Sequence, residues 1–169
     1  MVAEILILAF VPAVLVAAGA WDLASFTIPN FLSLALIGLF AVFALAAGLT
    51  LPQMGLHLLA GFAGLIIGFG LFAAGWIGGG DAKLFAAVAL WLGFADLVPY
   101  ALMASLFGGF LTLGLLVMRQ WPLPAALVRQ SWLLRLHDRQ SGIPYGVALA
   151  LGAFVILPHT EIFRLACAA

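Results

Sequence analysis

Charge is what this chain has least of. Only 7% of its 169 residues are Asp, Glu, Lys or Arg, and none stands between Leu23 and Gly80. Ordinary soluble domains carry about 25% charged residues. With 67% apolar residues and a mean hydropathy of +1.30, the composition excludes a soluble domain and points to an all-α integral membrane protein. Cysteine is nearly missing too. A lone Cys167 excludes an internal disulfide and a four-cysteine zinc module. The net charge is zero and no long basic run exists, so nucleic acid is not an expected partner. A positive n-region is lacking ahead of the first apolar run, which is therefore expected to be retained. Neither a Ser/Gly linker nor a fixed-period repeat divides residues 1–169, which read as a single domain.

What is present is a series of apolar runs. A helical span takes about 20 such residues. The first run lies between Glu4 and Asp22, and Pro12 is able to kink it. The uncharged stretch after Asp22 is too long for one span and too short for three, so two are expected, turning at Thr50-Leu51-Pro52-Gln53. Six transmembrane helices result, at 5–21, 31–49, 55–75, 82–97, 99–118 and 143–158, with a polar loop at 119–142. Ala60, Gly64 and Gly68 form a small-residue stripe suited to close helix packing. In the loop, Val128, Trp132 and Leu136 fall on one side of an expected interfacial helix.

Two crossings separate Asp22 from Asp81, so both aspartates belong to the same membrane face. Five of the six basic residues, Lys83, Arg119, Arg129, Arg135 and Arg139, share that face, and only Arg164 lies opposite. By the positive-inside rule the aspartates and the 119–142 loop face the cytoplasm. Trp21, Trp76 and Trp121 mark the same interface, as aromatic belts do. Asp96 belongs to the other face, as a solvated acid.

A carboxylate at membrane depth costs roughly 2.5–3.5 kcal/mol on insertion scales, which makes it a functional candidate. Asp81 follows Gly78, Gly79 and Gly80, whose missing side chains let the backbone bend and another chain approach. Two carboxylates brought close titrate as a unit, and one can activate water while the other donates a proton. That is aspartic-protease chemistry, needing no metal and no cofactor. Other readings stay open at this point. Asp22 is equally placed as a helix-end group and Asp81 as a helix N-cap. A small transporter could use the pair as an ion or proton site. A metal-dependent lipid phosphotransferase would need more clustered acids, and the glycine-rich stretch lacks P-loop spacing. Asn30 is placed to orient Asp22 or to cap a helix. Lys83 is placed to hold an aspartate's charge, to bind lipid phosphate or to anchor the topology. His57, His137 and His159 are scattered and take no assigned part.

Gly78-Gly79-Gly80-Asp81 resembles the GxGD signature of intramembrane aspartyl proteases. Followed by Ala82-Lys83, and combined with Asp22 ahead of Ile28-Pro29-Asn30, it resembles the type IV prepilin peptidases. Gly142-Ile143-Pro144-Tyr145-Gly146 is similar to that family's last-helix motif. The resemblance implies that Asp22 and Asp81 are the catalytic pair. Gly78, Gly79, Gly80, Lys83, Pro29 and Asn30 would form the supporting loops, and Pro144 and Tyr145 part of a substrate groove. It further implies cleavage of prepilin and pseudopilin leader peptides at the cytoplasmic face of the bacterial inner membrane. Long family members also carry a cysteine-bearing insert and methylate the new N-terminus. This chain lacks the cysteine pair and the insert, so methylation is not expected. The short form resembles the branch serving Flp-type (tight-adherence) pili.

Overall fold

The computed structural model describes residues 1–124 and 127–168, and among these every regular element is helical. Helix α1 (Val2–Ser25) is followed by α2 (Asn30–Ala46) and α3 (Leu51–Ala73). A run from Gly79 to Met118 is broken at Gly93 into α4 (79–92) and α5 (94–118). Then come the short α6 (Ser131–His137), α7 (Tyr145–Ile156) and α8 (Glu161–Ala168). Three runs are long and apolar enough to cross a membrane: Val2–Ser25, Leu51–Ala73 and Gly79–Met118. The pair Tyr145–His159 and Glu161–Cys167, bent by 59°, makes a fourth if counted as one span.

Local chemistry explains the breaks. Pro12 cannot donate to the helix ladder, and its ring crowds the carbonyl one turn earlier; α1 widens to a π-turn at Leu6–Phe10 just ahead of it. Helices α2 and α3 end alike. Gly48 and Gly75 adopt φ of +68° and +76°, and Leu49 and Trp76 donate back to the carbonyls of Ala44 and Leu71. Both are glycine-terminated Schellman turns. The Thr50–Gln53 stretch is not a free turn. It is the cap and first turn of α3, which starts at Leu51 rather than at 55.

The turn between the fourth and fifth helices falls at Gly93, not at residues 97–99. Gly93 has φ of +74°, a conformation that only glycine adopts without strain, whereas Pro99 sits inside α5. The imidazole of His57 packs against Gly93, and its Nδ1 lies 2.8 Å from the carbonyl oxygen of Leu90, a group stranded by the broken ladder.

Small residues set the packing. Gly61, Gly64 and Gly68 of α3 meet Leu90, Ala89 and Ala82 of α4 in reverse order, so the two helices run antiparallel. A Cβ on Gly64 would stand 2.7 Å from that of Ala89. Gly19 meets Ala150 and Asp22 meets Gly146, which makes α1 and α7 antiparallel as well. Phe85 of α4 stacks on Tyr100 of α5, nearly equal distances in sequence from Gly93, so the run doubles back there. The core holds Trp91 against Phe40 and Phe43, with the indole N–H bonded to the carbonyl of Leu36 at 2.9 Å. Large apolar side chains such as Leu34, Phe62, Phe69, Val98 and Phe110 point outward, as a lipid-facing surface requires.

One loop expectation changes. In the 119–142 segment only 131–137 is helical among the described residues. Leu136 turns inward there, while Val128 precedes the helix and stays exposed with Trp132. Beyond Pro158, an eight-residue amphipathic helix follows, with the Thr160 hydroxyl accepting from the N–H of Phe163.

Candidate active site

The antiparallel arrangement brings Asp22, Asn30, Gly78–Lys83, Arg119 and Pro144–Gly146 to one end of the bundle. Asp22 lies in the last turn of α1 and is only 4% exposed. The next residues close the helix: Phe26 takes a left-handed φ of 56°, and its N–H donates to the Asp22 carbonyl at 2.7 Å. A non-glycine residue in that conformation is strained, which is common beside functional groups. The side chain of Asp22 reaches across 124 residues of sequence, where its Oδ2 accepts the N–H of Gly146 at 2.7 Å. A Cβ on Gly146 would lie 2.8 Å from that oxygen and 3.0 Å from the Asp22 Cβ. Only glycine lets the first turn of α7 come so close.

Asp81 is the third residue of α4 and is 8% exposed. Its Oδ2 accepts the N–H of Gly78 at 2.9 Å. Its Oδ1, also buried, has no hydrogen-bond partner among the described residues. The two carboxylates are within electrostatic reach of each other. Ile28 is the joint between them. It presses on Gly80, where a Cβ would stand 3.0 Å away, and its Cδ1 lies 2.6 Å from where one on Gly146 would be. Each of the three patches picked out from sequence thus touches the other two through one buried isoleucine.

The supporting residues are placed as follows. Pro29 precedes α2 as its N-cap. Asn30 and Lys83 pair with each other, Nζ donating to Oδ1 at 2.8 Å; of the two parts open to Asn30, the bond to Asp22 is not made, and the Gly146 amide takes that place. Gly79 stands beside the Phe72 ring. Pro144 is fully enclosed at the start of α7, and the Tyr145 ring packs against Gly108 of α5, where a Cβ would come within 2.6 Å of it.

Two residues were missed by the sequence reading. Buried Arg119 donates from Nε to the carbonyl of Leu136 at 2.9 Å and from Nη2 to that of Gly142 at 3.0 Å. It thereby ties the segment leading to Gly146 onto the end of α5. Its signal was available: it is the first charge after a long uncharged run. Tyr100 had no such signal. It is fully buried, its hydroxyl has no partner among the described residues, and it is within electrostatic reach of Asp81. Among the described residues, no three His, Cys, Asp or Glu side chains gather as a metal site.

Chemically, the site offers two buried carboxylates, each steered by a backbone amide, with one oxygen of Asp81 unpartnered among the described residues. Buried acceptors are nearly always satisfied in folded proteins, which sets this oxygen apart. No solved structure matches the chain significantly. A curated relative, the prepilin leader peptidase/N-methyltransferase of Aeromonas hydrophila, is 30% identical over 151 residues. The match covers 85% of this chain and 46% of the relative, so the chain spans about half the relative's length. Residues 9–113 match the type IV leader peptidase family, a stretch that contains both aspartates, Ile28, the glycine loop and Tyr100. With most of the chain accounted for in this way, it belongs to the type IV leader peptidase family.

Proposed function

We propose that this protein is a membrane aspartyl endopeptidase that removes the leader peptide from prepilins and pseudopilins. The observation carrying the reading is that Asp22 and Asp81, distant in sequence, come within electrostatic reach at one end of a helical bundle, with one oxygen of Asp81 unengaged among the described residues. One carboxylate takes a proton from water as the oxygen attacks the scissile carbonyl, and the other, protonated, hydrogen-bonds the oxyanion that forms. Collapse of the tetrahedral intermediate breaks the C–N bond, and the departing amine collects the proton. Tyr100 acts on Asp81 as a positioning residue, its hydroxyl being the nearby donor without a partner of its own.

The chain crosses the bilayer six times in this reading, through α1 to α5 and α7. The basic residues gathered at the aspartate end support a cytoplasmic orientation in a bacterial inner membrane. Only Phe26–Pro29 separate α1 from α2, leaving no room there for a cysteine-bearing insert. That supports a peptidase of the Flp-type branch without N-methyltransferase activity.

The test incubates purified protein with a leader-bearing prepilin and follows product on a gel. Asp22→Asn and Asp81→Asn should each abolish cleavage while the protein inserts and folds normally. If either variant still cuts at near the unaltered rate, the assignment fails at that residue. A helix cap or an ion-transport carboxylate would leave cleavage in proportion to folded protein.

A further inference from the structure

A cavity of about 510 Å³ opens between α2, α3 and α4, beside the aspartates but not lined by them. Its composition is graded along its length. At the aspartate end stand Lys83, Asn30 and Ser33; deeper, its walls are apolar, with Leu58, Phe62 and Leu65 contributed by α3. Lys83 and Asn30 are exposed and share one hydrogen bond, which leaves two ammonium protons and the Asn30 amide N–H groups for another acceptor. Ser33, one helical turn beyond Asn30, is 6% exposed, and its hydroxyl has no partner among the described residues. A buried hydroxyl left without a partner is unfavourable. Its place on an otherwise apolar wall calls for a ligand with an acceptor at that depth.

We infer that this groove is a binding site for an anionic phospholipid, with the phosphate held by Lys83, Asn30 and Ser33 and an acyl chain along the apolar wall. The charge sits at the interfacial end and the apolar surface runs toward the bilayer centre, the same polarity as a phospholipid of that leaflet. Basic pockets between membrane helices are suited to anionic head groups. The inference does not depend on the peptidase reading.

Native mass spectrometry of the full chain released from vesicles of equal phosphatidylglycerol and phosphatidylcholine tests it. The unaltered protein should retain one phosphatidylglycerol, enriched at least tenfold over phosphatidylcholine. Lys83→Gln should lose that preference, and Ser33→Leu, which fills the groove, should lose the retained lipid altogether. Equal retention of the two lipids by the unaltered protein overturns the site, whether or not the variants fold. So does unchanged retention by both variants. Displacement of the lipid, mole for mole, by the apolar segment of a prepilin would assign the groove to substrate and overturn it as well.

Discussion

Two helix starts in this protein use the same bond for different ends. At the start of α3, Gln53 Oε1 accepts both the N–H and the hydroxyl of Thr50, at 2.9 and 2.8 Å. At the start of α4, Asp81 Oδ2 accepts the N–H of Gly78 at 2.9 Å across the same three-residue spacing. The first is an exposed cap between neutral groups, complete in itself. The second has no side chain at its cap residue, is buried, carries a carboxylate, and leaves one oxygen unbonded. A cap that serves only the helix consumes its acceptors. One that serves chemistry holds a group still by one atom and keeps the other available.

The largest effect that separates the two is on the aspartates themselves. Residues acting as a unit are non-additive, so the double variant Asp22→Asn/Asp81→Asn should be scarcely slower than either single one. Additive losses in single-turnover cleavage would show that the two carboxylates act independently. Next comes Gly146→Ala, whose methyl would intrude on Asp22 Oδ2 and the tip of Ile28. A displacement near 1 Å costs about 100-fold in rate, and that loss should appear in kcat with the fold retained. Unchanged kcat would mean the Asp22 position is not set by α7.

Tyr100→Phe should lower kcat about tenfold, less than the 10²–10⁴-fold typical of direct acid–base groups, because the hydroxyl acts through Asp81. Thermal stability should hold or rise, since a buried hydroxyl without a partner is removed. Stability gained with kcat unchanged would leave Tyr100 a packing residue. Smallest of all is Thr50→Ala, which should cost about 1 kcal/mol in thermal or denaturant unfolding and leave kcat alone. A loss of cleavage there would erase the distinction between the two helix starts.

Much of the site was legible before the fold because charge is so sparse. In a chain with almost no charge, each acid stands out, and counting apolar runs puts Asp22 and Asp81 at one end. The reading stopped where tertiary contacts begin. Asn30 looked like a partner for Asp22 because it follows closely in sequence, yet it bonds Lys83. His57 looked incidental, yet it completes the Gly93 turn.

By itself, the sequence determined the class of molecule, the carboxylate pair and their common end, because insertion into lipid depends on apolar length and charge, both local properties. It also carried the two Schellman turns and the cap of α3, each made within a few residues. Only the tertiary structure decided which face of each helix is buried. Leu32 and Leu36 are interior while Leu34 and Leu45 face outward, and in a bilayer both surroundings are apolar, so no hydrophobic contrast marks the difference. For the same reason, only the fold could set Gly146 against Asp22, wedge Ile28 between Gly80 and Gly146 and bring Tyr100 toward Asp81. These contacts join residues far apart in sequence, and close packing through glycine, not polarity, selects them.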